Sequence, residues 1–156
     1  MPADARIRKA RPEDAGTIGR LLSDFNAEFD SPSPEAGTFA RRLTVLLGRD
    51  DVLVLLAEVD ERDVGVAFLT LRPTPYADGP LAQLEELYVR PDQRSRGVGT
   101  LLVEELLARL RGLQVAEVHV GVDEPDTDAR RFYERHGFSN VQPGTEERML
   151  LYLRET

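Results

Sequence analysis

The chain has 156 residues, 41% of them hydrophobic and 31% charged, a balance that predicts one globular domain, residues 1–156, with its own core. A formal net charge of −8 argues against a nucleic-acid partner, because phosphate backbones select basic faces. Cysteine is absent, which removes disulfides, thiolate metal sites and a cysteine nucleophile. The two histidines, His119 and His136, are too few for a zinc site, so no metal is expected. No stretch of about 18 apolar residues could span a bilayer, and MPADARIRKARPED lacks the apolar middle of a secretion signal, so the expected location is the cytoplasm.

From the N-terminus, ARIRKA reads as a short strand. Pro12 then opens a helix, with Glu13 and Asp14 in the first turn, where acids favour the positive end of the dipole. Ile18, Leu21, Leu22, Phe25 and Phe29 fall on one stripe of it and mark a core face. DSPSP stops this helix, and Pro34 opens a second whose Phe39, Leu43, Leu46 and Leu47 share a face. From Val52 the period becomes extended: VLVLLAEV and VGVAFLTL are apolar and β-branched, and DERD between them suits a tight hairpin turn. RPTPYADGP is a loop and LAQLEELYV a third strand of this central group. GVGTLLVEELLARLRG is then helical, VAEVHVGV alternates as a strand, TDARRFYERHG is a helix closed by Gly137, and ERMLLYLR is the last of a terminal pair of strands. Helices inserted among mostly antiparallel strands predict an α+β sandwich around one sheet.

The segment ELYVRPDQRSRGVGTLLVEELLARL joins a strand to a helix through an arginine-rich turn with Gly97 and Gly99. Glycine costs more backbone entropy than alanine, so a pair of them at a helix start points to a close backbone approach. A helix N-terminus exposes unpaired N–H groups at the positive end of the dipole, which makes an anion site, and Arg90, Arg94 and Arg96 add charge. A nucleoside-triphosphate loop is excluded because Gly99 is followed by Thr100 with no lysine. The dinucleotide fingerprint is excluded because Leu102 stands where its third glycine belongs.

RSRGVG, directly after a strand, resembles the acetyl-CoA loop of the GNAT superfamily of N-acetyltransferases, whose pattern is Gln or Arg, two residues, Gly, one residue, then Gly or Ala; Arg94, Gly97 and Gly99 match it. A late helix with an aromatic pair ahead of Gly-Phe is that family's second landmark, and ARRFYERHGF matches it at Ala129, Phe132, Tyr133, Gly137 and Phe138. The resemblance runs over nearly the whole chain in element order. It implies the acyl-CoA N-acyltransferase fold, an α+β three-layer α/β/α sandwich about a mixed, mostly antiparallel sheet. It also implies acetyl-CoA as co-substrate. Leu87, Tyr88 and Val89 would then offer backbone groups to the pantetheine arm. Arg94, Ser95, Arg96, Gly97, Val98, Gly99 and Thr100 would hold the diphosphate. One departure is Asp126, which stands where the family often has asparagine; a carboxylate cannot donate the hydrogen bonds of an amide.

The implied chemistry is attack of an amine on a thioester. The amine must be neutral, although an alkylamine has a pKa near ~10.4 in water, so a general base is expected. Strand alternation puts Glu85, Leu87 and Val89 on one face and Leu84, Glu86 and Tyr88 on the other. Glu85, four residues before Val89, resembles the base position of polyamine-type members and is the first candidate, with Glu86 second. A plain charged strand surface is the alternative for both. Tyr133, by the family pattern, would protonate the departing thiolate, and the Val89 N–H would polarise the thioester carbonyl. His119 and His136 read as structural or surface residues.

Asp24, Glu28, Asp30 and Glu35 gather at the end of the first helix and the loop after it, which in this family borders the acceptor cleft. A negative mouth would attract a small cationic amine; an ordinary solvated helix face is the competing reading. Aminoglycosides, amino acids, protein N-termini and lysines stay open as acceptors. So does a non-catalytic acyl-CoA-binding module. A homodimer is compatible with the resemblance.

Overall fold

Residues 4–156 are described in a computed structural model. In chain order they form β1 (Arg6–Lys9), a single 3-10 turn (Pro12–Asp14), α1 (Ala15–Glu28), α2 (Ala36–Leu46), β2 (Val52–Val59), β3 (Arg62–Arg72), β4 (Leu81–Val89), a second 3-10 turn (Pro91–Gln93), α3 (Val98–Gly112), β5 (Val118–Val120) and α4 (Thr127–Arg135). No helix among the described residues is long and apolar enough to cross a membrane. The chain divides into two compact units, a larger one ending at His119 and a smaller one, Val120–Thr156.

In the larger unit the strands lie in the order β1-β2-β3-β4-β5, with β1 to β4 joined antiparallel. The β2–β3 hairpin closes through Asp60 and Glu61, both at positive φ (48° and 61°), a two-residue turn whose twist matches that of the strands it joins. Alternation along β3 assigns the two sheet faces. Val66 and Phe68 pack with Ile18, Leu21, Leu22 and Leu43 of α1 and α2, whereas a Cβ at Gly65 would stand 3.2 Å from the Leu102 side chain of α3. The sheet is thus the middle of three layers, as the sequence predicts. β1 is pinned to the start of α1 by Arg8, which donates two 2.9 Å hydrogen bonds to Asp14 and holds that carboxyl below its ordinary pKa.

Helix α1 contains Gly16 and Gly19, each costing about 1 kcal/mol against alanine in a helix interior. Ile18, Leu21 and Leu22 are buried on it, and at about 1.5–3 kcal/mol for each side chain their burial outweighs that cost. Gly19 has a packing reason: a Cβ there would lie 2.8 Å from the Ala36 carbonyl oxygen and 3.1 Å from the Ala40 nitrogen. The helices meet backbone to backbone at this point.

The C-terminal part of the chain departs from the sequence expectation. VAEVHVGV yields only the three-residue β5, and ERMLLYLR forms no strand. Gln142 N–H donates to the Glu147 carbonyl at 2.8 Å and Met149 N–H to that of Asn140 at 2.6 Å, around a single bridge between Val141 and Arg148. Beyond it Leu150, Leu151, Tyr152 and Leu153 are 67–88% exposed. An apolar run becomes a strand only where a neighbouring backbone completes its ladder, and composition does not report the neighbour.

Gly19→Ala is expected to destabilise the fold by about 1–3 kcal/mol through overpacking, despite the better helix propensity of alanine. The check is the urea midpoint, which should fall at unchanged m-value; a higher midpoint would mean that α2 yields to the added methyl.

Candidate active site

Strand β4 carries the first site residues, and its register against β3 decides their directions. Val66 pairs with Tyr88, Ala67 with Leu87 and Phe68 with Glu86, but Leu69 then pairs with Leu84. Glu85 is therefore an extra residue, a β-bulge, and the simple alternation expected along this strand breaks there. Leu84 joins Leu87 and Val89 on the α3 face, while Glu86 and Tyr88 face α1 and α2. Glu85 leaves the face of Val89: its carboxylate accepts a 2.7 Å hydrogen bond from the Thr70 hydroxyl.

The backbone of β4 is also directional. Arg90 N–H donates to the Val64 carbonyl at 2.8 Å, which brackets Gly65 and Val89 as a non-hydrogen-bonded pair. Val89 and, by alternation, Leu87 thus turn their N–H and C=O groups away from β3, towards the outer edge. Tyr88 does not, because its backbone groups exchange with Val66; the expectation that all three residues offer main chain to a ligand is corrected to Leu87 and Val89. On that outer edge β5 has three residues against nine in β4, with Ala82 N–H bonded to the Glu117 carbonyl at 3.0 Å near the start of β4. At about 3.3 Å per residue, β5 cannot follow β4 to its end.

Past β4 the chain makes the glycine turn. Ser95 (φ 59°) and Gly97 (φ 85°) are both left-handed, and Gly97 is the N-cap of α3, with no side chain capping the helix. A β-carbon is disfavoured at such a φ, which accounts for glycine at 97. The helical ladder starts with Leu101 N–H to the Gly97 carbonyl at 3.0 Å, so the N–H groups of Val98 and Gly99 precede it with no backbone acceptor among the described residues. Donors at the positive end of a 15-residue helix, without a capping side chain, suit an anion.

The arginines behave differently from the sequence expectation. Arg94 donates through Nη1 and Nη2 to Glu28 of α1 at 2.6 and 2.8 Å, and through Nε to the Val89 carbonyl at 2.9 Å. Its guanidinium carbon also lies 5.6 Å from the Tyr88 ring centroid. Arg90 pairs with Asp24 at 3.1 Å, and Arg96 donates to the Gln93 side chain at 2.7 Å. The charge of Arg94 is met by a carboxylate, and two of the four acids of the expected negative mouth, Asp24 and Glu28, are engaged by arginine. Neither engagement is legible in the sequence, where the partners stand 66 residues apart.

Of the two glutamates, Glu86 has the more base-like surroundings. It is half-buried, and burial, reinforced by the neighbouring Glu85 charge, pushes its carboxyl above the usual range. Glu85 is exposed and hydrogen-bonded.

In the smaller unit Asp126 is the N-cap of α4, its carboxylate accepting from Ala129 N–H at 3.1 Å. Tyr133 is half-buried on the same helix, its ring edge-on to Phe132 at 5.4 Å and to Phe138 at 5.5 Å. Gly137 closes this helix at φ 86°. His136 stacks on Phe132 at 4.6 Å, and His119 of the larger unit lies between Arg72 and Glu117 on the surface.

Residues 18–138 match the family described as "Acetyltransferase (GNAT) family". A mycothiol acetyltransferase of Geodermatophilus obscurus is 31% identical over 146 residues, covering 89% of this chain and 46% of that protein. An uncharacterized N-acetyltransferase of Methanocaldococcus jannaschii is 34% identical over 100 residues, 62% of this chain and 43% of its own length. The chain thus spans less than half the length of these two relatives. Among solved structures, one from Arthrobacter sp. FB24, whose acetyltransferase assignment is provisional, is 44% identical with a TM-score of 0.90, covering 97% of this chain and 96% of its own. An aminoglycoside acetyltransferase from an uncultured soil sample has the same fold, with a TM-score of 0.80 at 22% identity, over 97% of this chain and 96% of that one. The chain belongs to the GNAT family of acetyltransferases.

Proposed function

We propose that this chain is an acetyl-CoA-dependent N-acetyltransferase, a single catalytic domain over residues 1–156, that acts on the primary amine of a small molecule in the cytoplasm. The observation that carries the reading is the uncapped tip of α3, with Gly97 at φ 85° and the Val98 and Gly99 N–H groups without a backbone acceptor among the described residues. The residues fit the coenzyme: a diphosphate suits those N–H groups, and an amide-bearing arm suits the outward N–H and C=O groups of Leu87 and the N–H of Val89. Bound there, acetyl-CoA supplies an activated acetyl thioester.

This chain's own residues then have separate tasks. Glu86, facing the α1 and α2 side, takes the proton from the attacking ammonium, directly or through water, so that the nitrogen lone pair is free. A raised carboxyl pKa suits that task, since a stronger base takes the proton more readily. Glu85 is the second candidate. The Val89 N–H polarises the thioester carbonyl. Tyr133 gives its phenolic proton to the departing thiolate, so that the products are an N-acetyl amine and the free thiol. The mycothiol acetyltransferase relative supports a small-molecule acceptor. With Asp24 and Glu28 engaged by arginine, the cation-attracting role passes to Glu85 and Glu86.

Gly97→Val forces a β-branched side chain into the left-handed region and should weaken coenzyme A binding at least tenfold in calorimetry, with unfolding stability lowered by about 1–3 kcal/mol and the fold retained. Retained affinity counts against the anion-binding tip. Glu86→Gln should lower kcat by about 10²–10⁴-fold and remove the acid limb of the pH profile. In the parent protein activity rises as pH climbs through the raised Glu86 pKa. Glu85→Gln removes the like charge, lowers that pKa and should move the limb to lower pH. A limb that survives in Glu86→Gln assigns the base elsewhere. Tyr133→Phe should lower turnover with coenzyme affinity unchanged; full turnover would remove its acid role.

A further inference from the structure

We propose that Glu28, with Asp24, is a positioning residue for the anion-binding tip of α3, acting through Arg94 and Arg90; the inference rests on the coenzyme reading above. Asp24 and Glu28 lie one helical turn apart near the C-terminus of α1, and no basic residue occupies its last turn. Carboxylates are disfavoured there, because the unpaired carbonyls already make that end negative. What holds them is the segment between β4 and α3. Arg90 and Arg94, also four residues apart, flank the 3-10 turn Pro91–Gln93 and reach back to Asp24 and Glu28 respectively. Phe25 of α1 also packs edge-on against Tyr88 of β4 at 5.1 Å. The result is a three-rung ladder from α1 to the end of β4.

Arg94 is the rung that matters for the tip. Exposed ion pairs ordinarily contribute little, but this one, with side chains 40% and 27% exposed, is bidentate and locked by a third hydrogen bond from Nε to the Val89 carbonyl. Arg94 immediately precedes the turn in which Ser95 and Gly97 are left-handed, directly ahead of α3. Fixing its side chain to α1 and to β4 removes the freedom of the loop to swing, so the Val98 and Gly99 N–H groups are aimed before any ligand arrives. Arg90 accepts a cost to stay in place: its Nε is buried with no partner among the described residues. On this account the two acids of α1 are structural counter-charges for the anion-binding loop, and the helix reads out through arginine what the coenzyme feels.

The sign of one substitution separates this from simple electrostatics. Glu28→Gln deletes a negative charge close to the loop, which by Coulomb's law alone would tighten an anionic ligand. Loss of aim would weaken it. Calorimetry on the full chain with coenzyme A should give an affinity about tenfold lower in Glu28→Gln, partly recovered in Glu28→Asp. Steady-state kinetics should give a raised KM for acetyl-CoA with kcat within about twofold. With S-acetylpantetheine as donor, which has no diphosphate, kcat/KM should be unchanged. Coenzyme A affinity that holds or improves in Glu28→Gln, while Gly97→Val loses it, overturns the proposal and leaves the coenzyme reading intact. An equal loss with both donors overturns it too, since that is the mark of general disruption. If Gly97→Val binds coenzyme A normally, the coenzyme reading fails and this inference with it.

Discussion

Strand β4 has one residue more than its pairing with β3 requires, and much of the site follows from that surplus. The extra residue, Glu85, breaks the two-residue period, so Leu84 and Leu87 both enter the α3 face while Glu86 and Tyr88 stay on the other. Past the bulge the register turns the main-chain groups of Leu87 and Val89 to the open edge. It also brings Tyr88 beneath Phe25 and leaves the Val89 carbonyl where Arg94 can donate to it. A bulge locally raises twist and re-aims side chains at modest energetic cost, which is why strands beside functional sites carry them. Here the consequence is that two adjacent glutamates both serve the same side of the sheet in different environments, one exposed and one half-buried.

Charge is organised locally in this strongly acidic chain. Its net charge of −8 suggests acidic surfaces at large, yet around the glycine turn each arginine found has an oxygen partner: Arg90 on Asp24, Arg94 on Glu28 and Val89, Arg96 on Gln93. Under the proposed function an anion would meet peptide N–H groups at a helix start, together with Arg96, whose partner there is a neutral amide. The N–H groups carry only partial charge, but they are fixed by the helix itself and do not depend on a flexible side chain finding its place. On the inference above, pairing Arg90 and Arg94 with α1 converts mobile charge into a rigid support. This division between groups that bind and groups that hold the binders still is common to sites that must be formed before the ligand arrives.

Family membership and site chemistry rest on different observations. The match over residues 18–138 and the 44% identical solved structure concern the chain as a whole and its fold. The proposed roles of Glu86, Val89 and the α3 tip rest on a register, a hydrogen-bond direction and an absent cap, all of them local. A mycothiol acetyltransferase relative and an aminoglycoside acetyltransferase of the same fold are named for different acceptors, so a shared fold does not by itself identify an acceptor.

Much was legible from the residues alone. The limits of β2 and β4 follow from apolar, β-branched runs bounded by turn formers, and α1, α2, α3 and α4 from 3.6-residue stripes with Pro, Asp or Gly at their ends. The glycine turn was readable because only glycine is comfortable at the φ that Gly97 adopts. Those features are short-range: backbone sterics and side-chain period act within a few residues. The bulge at Glu85, the pairing of Arg94 with Glu28, the outward turn of Val89 and the strandless state of ERMLLYLR were decided by tertiary structure. Each depends on which distant segment comes alongside. A local pattern gives a residue its propensity, whereas its hydrogen-bond partner and its depth in the protein are properties of the neighbours that the fold supplies.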